Sequence, residues 1–250
     1  MNKRIAGFFH VFANAENHPH WAHVLYECAS AVYFSGLYDR CDTIYVGINS
    51  PGGYGINGIQ DFLSLYPKFK ITRINNSSKS AEWTTLSVVK EMVNEYDYCF
   101  YIHTKNASYN TNKHNNNFHN RELWRRVMLN QIIKEWKACE SLLWQNDAVG
   151  CSWQCNNHFQ GNFWWATSEY INKLPHPHDL LTNPKVKAEY LNDAVAGWSL
   201  APNAPGITFE KWEYEVYRFV CETWISFGKP KVFDKLPIPL FDNNELIKYI

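Results

Sequence analysis

Short apolar runs alternate with amphipathic helical segments through the first 150 residues of the chain, and this alternation constrains the fold more than any other feature. Strands that alternate with crossover helices are typical of a mostly parallel sheet. We therefore expect an α/β fold with a mostly parallel central sheet. The predicted strands comprise residues 5–12, 43–48, 69–74, 98–102 and 148–153.

The segments between these strands carry apolar residues at helical spacing. Residues 21–34 and the segment that begins at Trp83 each show one apolar stripe, which predicts core-facing helices. A longer helix is predicted from Arg121 to about Leu143, and a final one over residues 212–227. Residues 161–166 predict a further strand and 168–174 a short helix, whereas 175–206 predict irregular chain.

An asparagine-rich segment, residues 106–120, follows the fourth predicted strand. It holds too few apolar residues for a strand or a packed helix, so it predicts a long loop. Ligands of open α/β sheets lie beyond the carboxyl ends of the strands. The loop is therefore either a lid over a binding cleft or a tolerated surface insertion.

Charge and cysteine content narrow the class of protein. The chain has 24 basic and 24 acidic residues, and this zero net charge gives no whole-molecule attraction for nucleic acid. Its 7 cysteines are scattered and odd in number, which indicates reduced, mostly buried thiols and a cytoplasmic location. The sequence leaves open whether the protein also docks on the surface of a membrane. No run approaches about 20 apolar residues, so we expect no transmembrane segment.

The fourth predicted strand ends in His103, Thr104 and Lys105. Alternation places His103 and Lys105 on one side, at the edge where diphosphates are usually held. Lys105 could neutralise phosphate, and His103 could bind phosphate, a metal or a leaving-group oxygen. The other interpretation is ordinary surface decoration at a strand end.

Two adjacent indoles, Trp164 and Trp165, follow Asn162 in the later predicted strand. A sugar presents a flat C–H face and a rim of hydroxyls, which suit an indole and polar side chains respectively. We therefore assign Asn162, Trp164 and the nearby His158 to sugar or acceptor binding. By alternation Trp165 belongs to the core. The alternative is that both indoles are buried on a core strand.

As an ordered set, several segments resemble small bacterial and viral glycosyltransferase-like proteins of the GT-A (nucleotide-diphospho-sugar transferase) type. The resemblance covers about residues 5–227. It rests on residues 35–38, Glu82 with Thr85 and Leu86, residues 101–106, residues 124–128, residues 161–166, and Arg218 with Glu222 and Trp224.

This resemblance implies one domain, residues 1–250, with a Rossmann-like three-layer sandwich. Residues 1–155 would form the nucleotide-sugar-binding half, and residues 156–250 the acceptor-binding half with the C-terminal helix. The implied reaction is transfer of a hexosyl or pentosyl group from a UDP-, GDP- or dTDP-linked donor to a glycan hydroxyl. Inversion of the anomeric centre is favoured over retention. Surface polysaccharide or glycoprotein glycan synthesis would be the setting.

The usual GT-A metal signature, Asp-x-Asp after the fourth strand, is replaced here by His103, Thr104 and Lys105. Two possibilities follow for a cofactor. Either His103, the only candidate metal ligand, helps to hold Mn²⁺ or Mg²⁺, or the Lys105 ammonium replaces the cation.

The resemblance also implies roles for charged residues. Glu82, Arg125 and Arg218 join Lys105 as candidates for binding the donor and its diphosphate. Glu222, with His103, is the catalytic candidate, because inversion needs a carboxylate to take the acceptor proton opposite the leaving diphosphate. Glu82 could instead be a helix-start charge, and Glu222 a surface partner of Arg218, with Asp193 as the competing base.

A second function from another class is a non-catalytic carbohydrate-binding protein that uses the tryptophan platform. It predicts glycan binding that is indifferent to nucleotides. Metal-dependent hydrolysis is disfavoured because the chain lacks H-E-x-x-H or a comparable ligand cluster.

Overall fold

The computed structural model describes residues 3–14, 20–77, 80–108, 116–154, 157–182, 220–238 and 246–249. The strands are β1 (Ile5–Phe12), β2 (Thr43–Asn49), β3 (Phe69–Asn75), β4 (Tyr98–His103), β5 (Ala148–Gly150), β6 (Trp153–Gln154), β7 (His158–Phe159), β8 (Trp164–Thr167) and β9 (Val232–Asp234). The α-helices are α1 (His20–Phe34), α2 (Leu37–Arg40), α3 (Ile56–Ser64), α4 (Trp83–Met92), α5 (Asn116–Met128), α6 (Trp136–Leu142), α7 (Ser168–Lys173) and α8 (Pro177–Thr182).

The central sheet has seven strands in the order β3-β2-β1-β4-β8-β5-β9. Strand β8 is antiparallel to both β4 and β5, whereas the other pairings are parallel. The predicted α/β class and mostly parallel sheet are therefore confirmed. Strands β6 and β7 form a separate antiparallel pair.

The predicted strand starts and ends differ from the structure where the backbone turns left-handed. The fifth predicted strand stops at Gly150, because Ser152 has φ 54° and leads into β6. The strand expected over residues 161–166 begins only at Trp164, since Gly161 and Asn162 have φ of 80° and 55°. Such angles do not fit a strand.

Both faces of the sheet are covered. Alternate residues of β1 enter two different buried clusters, with Phe9 in one and Phe8 in the other. The first cluster packs the sheet against α1 and the Val127–Ile133 region, and the second packs it against α4 and α7. A strand in the middle of such a sheet has no solvent-facing side.

The long helix predicted from Arg121 to Leu143 is interrupted. It consists of α5, a π-helical segment (Leu129–Lys134) and α6. Because α5 begins at Asn116, the prediction of a loop over residues 106–120 is wrong for its last five residues. Residues 109–115 lie outside the described part, so the lid interpretation stays a prediction.

The last predicted helix, residues 212–227, is described only from residue 220. It ends in a 3₁₀ turn over Trp224–Ser226. The six cysteines in the described ranges are all free and buried, as the sequence predicts. Within those ranges the structure contains no helix of the length and apolar character that crossing a membrane requires.

Candidate active site

The order in which the strands are added to the sheet reverses between β1 and β4. The chain passes from β1 to β2 and β3 on one side, then returns to place β4 on the other side of β1. In α/β sheets the crevice at such a switch point, beyond the carboxyl ends of the strands, is where ligands bind. His10 and His103 are register partners near the carboxyl ends of β1 and β4.

A buried hydrogen-bond network fixes the Glu82 carboxylate beside this edge. Glu82 immediately precedes α4, yet its side chain does not cap that helix. Its Oε2 accepts hydrogen bonds from the Tyr101 hydroxyl at 2.6 Å and from Asn162 Nδ2 at 2.7 Å. Asn162 Oδ1 in turn accepts from Trp164 Nε1 at 2.9 Å, which sets the amide orientation.

The His103 imidazole is oriented by the chain segment before β8. Its Nε2 lies 2.8 Å from the Gly161 carbonyl, which can only accept, so Nε2 carries hydrogen. Its Nδ1 faces Glu82 Oε1 at 3.8 Å, and the two side chains are 10 % and 12 % exposed. The two groups present adjacent polar atoms to anything bound at this edge.

Three residues of this part of the chain have a strained backbone. Ala81, Asn106 and Asn162 are all non-glycine residues with positive φ, at 40°, 75° and 55°. Ala81 precedes Glu82, and its carbonyl accepts from the amide of Asn49 at the end of β2 at 3.4 Å. Asn49 is fully buried, and its Oδ1 has no hydrogen-bond partner. Strained backbone and unpaired buried acceptors cluster at functional sites more than elsewhere.

His10 extends the polar cluster onto β1. Its Nδ1 lies 2.9 Å from Thr85 Oγ1 on α4. Burial lowers the pKa of His10 to about 4, although the nearby Glu82 carboxylate opposes the shift. His10 is therefore neutral at neutral pH.

Three further residues that the sequence predicts for the site are His158, Glu222 and Lys105. His158 and Glu222 are 5 % and 8 % exposed. Burial lowers the pKa of His158, the Glu222 carboxylate raises it, and the Lys105 ammonium lowers it again. The His158 imidazole is therefore within electrostatic reach of both charged groups.

The model of a family described as "Domain of unknown function (DUF8361)" matches residues 8–232. The chain belongs to the DUF8361 family. No curated protein matches it. The matched span of this DUF8361 domain begins within β1 and contains β4, β8 and every residue of the candidate site.

The expected tryptophan platform is wrong for this DUF8361 domain. Trp164 is fully buried, stacked on Tyr101 at 5.2 Å between ring centroids and covered by Trp224. Trp165 is also fully buried, as predicted, and donates to the Ile132 carbonyl. Trp164 thus holds Asn162 in place, and its ring is not available to stack on a sugar.

Arg125 was expected to reach towards phosphate, but the structure places it in the interior. The side chain is fully buried and forms ion pairs with Glu27 and Glu122. It also donates to the Lys105 carbonyl at 3.0 Å. Arg125 is therefore neutralised, and it anchors the segment after β4. Arg218 and Asp193 lie outside the described residues.

The carboxyl edge of β1 and β4 fits a metal ion poorly. His103 Nε2 is engaged by Gly161, and Glu82 Oε2 by two donors, so neither atom is available to a cation. Across the described ranges the one group of three potential ligands lies elsewhere, on α1 and α5.

Three residues of the cluster were missed as site residues: His10, Thr85 and Tyr101. A signal for His10 was available, because the first and fourth predicted strands both carry a histidine near their carboxyl ends. Tyr101 and Thr85 fall in segments that carry the family resemblance, but nothing in the sequence links either to a partner. Tyr101 joins the cluster because Glu82 turns towards the sheet instead of capping α4, and Thr85 joins it through His10.

Proposed function

We propose that this protein is a glycosyltransferase that moves a sugar from a nucleotide diphosphate donor to a glycan hydroxyl. The observation that carries the proposal is the Glu82 carboxylate, held by Tyr101 and Asn162 with its second oxygen directed at His103. This group lies at the switch point of the sheet, where nucleotides bind in α/β folds. The resemblance of the ordered motifs to GT-A-type proteins supports the same reaction.

In this proposal the donor diphosphate lies near Lys105, which follows β4 and supplies positive charge. Glu82 Oε1 accepts a hydrogen bond from a donor hydroxyl, since its other oxygen is saturated by protein donors. His103 Nδ1 faces the same space, and because Nε2 keeps its hydrogen on the Gly161 carbonyl, Nδ1 donates to a leaving-group oxygen only when the ring is the imidazolium. Glu82 and His103 are held by hydrogen bonds, and preorganised groups of this kind favour the transition state over the ground state.

Glu222 is the proposed general base. Glu222 is buried, and its carboxylate acts electrostatically on the His158 imidazole, as the Lys105 ammonium does. An inverting transfer requires a base on the acceptor side that removes the hydroxyl proton as the new glycosidic bond forms. The C–O bond to the diphosphate breaks, and the diphosphate leaves with the bonding electrons.

The alternative, a non-catalytic carbohydrate-binding protein, depended on the tryptophan platform. That platform loses its support because Trp164 has no exposed face. The polar cluster at the switch point favours a nucleotide-dependent function instead. In this proposal His158 contacts the acceptor directly. Asn162 acts indirectly, because it holds the Glu82 carboxylate.

A thermal-shift panel with UDP-, GDP- and dTDP-sugars tests the proposal. A ligand at 100 times its Kd stabilises the folded state by about 2.7 kcal/mol. We expect one nucleotide class to raise Tm, Lys105→Ala to reduce the shift, and Lys173→Ala, an exposed lysine paired with Glu169, to retain it. Release of the nucleoside diphosphate in the presence of acceptor then reports turnover. Absence of a shift with every nucleotide sugar would refute a donor site.

A further inference from the structure

Helices α1 and α3 carry a continuous group of apolar side chains on the outside of the protein. This group, the aromatic surface, consists of Tyr26, Tyr33 and Phe34 from α1, Phe62 from α3, and Leu65 and Tyr66 directly after α3. Its five rings touch in one unbroken series, with 4.3 to 5.6 Å between the centroids of successive rings.

The aromatic surface is strongly exposed for side chains of this type. Phe34 is 83 % and Leu65 71 % exposed, and the two tyrosines of α1 are 49 % and 44 % exposed. These are four of the eight large apolar side chains that are exposed in the described ranges. Single exposed apolar residues are normal in folded proteins, whereas a contiguous patch of them marks an interaction site.

The rings meet edge to face, which argues against a sugar as the ligand. Their planes lie at 65° to 90° to one another in all four contacts. A sugar stacks on one flat, exposed ring, whereas these rings present alternating edges and faces. Such a surface suits the interdigitating side chains of another protein surface.

The charges around the aromatic surface favour a second copy of the chain over a membrane. Neither α1 nor α3 contains Lys or Arg, and surfaces that bind anionic lipids are rich in both. Lys68, just beyond Tyr66, donates to three backbone carbonyls, and Glu27 is paired with arginines of α5. Because its own six side chains are uncharged, the surface can face itself across a two-fold axis without like-charge repulsion.

The size of the aromatic surface fits one half of a dimer interface. A whole aromatic side chain presents about 150–250 Å², so the exposed fractions here amount to an apolar area on the order of 500 Å². A standard interface buries about 800 Å² on each partner, and roughly 65 % of that area is apolar in homodimers. We propose that the protein is a homodimer in which the aromatic surfaces of two copies meet.

The proposed interface lies away from the candidate active site. Tyr66 contacts Phe69, the first residue of β3, so the aromatic surface reaches the amino ends of the strands. His103 ends β4 at the opposite, carboxyl edge of the sheet. Dimer formation therefore leaves that edge open, and the inference stands apart from the proposed sugar transfer.

Sedimentation velocity of the full chain over a dilution series tests the proposal. We expect a species of twice the 29.3 kDa chain mass. The Phe34→Lys variant should weaken the dimer ~100-fold or more, because two ammonium groups enter the interface. It should fold normally, since Phe34 is largely exposed and a cation is favourable at the end of α1.

Leu65→Lys should weaken the dimer in the same way from the end of α3. Trp144→Lys is the matched control, because Trp144 is 74 % exposed and lies outside the aromatic surface, and this variant should dimerise like the parent chain. Circular dichroism verifies that the variants are folded. A parent chain that stays monomeric at every concentration, or Phe34→Lys and Leu65→Lys variants that dimerise as strongly as the parent chain, would overturn the proposal.

Discussion

Asn162 donates its side-chain amide to the Glu82 carboxylate at 2.7 Å, across 80 residues of sequence. The contact joins the turn before β8 to the start of α4 and leaves one carboxylate oxygen free to face His103. The left-handed backbone of Asn162 is what brings its amide to this position. The orientation of the proposed catalytic edge therefore depends on one amide.

The Asn162→Asp substitution should destabilise the fold strongly at neutral pH. It replaces a donor with a second carboxylate beside Glu82 in a position that is 1 % exposed. An unpaired buried charge costs about 3–5 kcal/mol. Urea denaturation at pH 7 measures this cost, which should shrink at pH 5 as the pair shares a proton. Asn172→Asp on the exposed end of α7 is the control, and equal stability of the two variants would contradict the network.

The Trp164→Phe substitution should lower the free energy of unfolding by roughly 2–4 kcal/mol. It leaves a cavity against Tyr101 and removes the donor to Asn162 Oδ1. Trp144 is 74 % exposed, so Trp144→Phe should change stability by less than about 0.5 kcal/mol. Chemical denaturation of both variants measures the difference. A surface platform at Trp164 would give two small effects instead.

His10 should make the protein less stable as pH falls from about 6.5 to about 4. In this window the unfolded chain binds a proton that the folded chain does not, because burial lowers the pKa of His10 to about 4. The loss is on the order of 3 kcal/mol over the full window.

The His10→Asn variant checks this prediction, since its amide can still meet Thr85. The pH dependence of its unfolding free energy should be flatter than that of the parent chain. His158 also has a lowered pKa, and it contributes equally to both curves. Parallel curves for the two proteins would show that His10 does not titrate in this way.

The Arg125→Met substitution should destabilise the fold by about 3–5 kcal/mol. Arg125 is fully buried, and its loss leaves Glu122, whose side chain is 13 % exposed, without its main counter-charge. Arg126→Met removes a neighbouring guanidinium that is half exposed and should cost less than about 1 kcal/mol. Thermal or urea unfolding compares them. Similar costs would mean that Arg125 is not the buried anchor of the segment after β4.

The Glu222→Gln substitution should remove turnover and leave the affinity for the nucleotide donor nearly unchanged. A base acts on the acceptor proton, so its loss affects kcat far more than donor binding. Steady-state assays together with nucleotide titration separate the two quantities. Retained activity in this variant would assign the base to another residue and leave the donor site itself intact.

The sequence predicts the strands well because each is a short apolar run between polar segments. The positions of His103 and Lys105 at a strand end follow from the same pattern. The sequence also predicts that Trp164 and Trp165 point to opposite sides. It does not reveal that both sides are covered, and the choice of an exposed side for Trp164 was wrong for that reason.

The charged residues are harder to predict, because their roles depend on distant partners. Arg125 is adjacent to Arg126 in sequence, yet one is fully buried and the other is half exposed. Both guanidinium groups contact Glu27, which lies 98 residues from Arg125, and Arg125 in addition pairs with Glu122. Glu82 is similar, since no local pattern indicates that its carboxylate turns from the helix start to Tyr101.

The insertion of β8 between β4 and β5 has a consequence for synthesis on the ribosome. A nascent chain that has emerged only as far as β5 holds a finished β3-β2-β1-β4 half-sheet whose last strand has an open edge. Residues 164–167 must appear before that edge is closed and before β5 has a neighbour. Open strand edges promote association between chains, so the incomplete protein is most exposed to aggregation during this interval.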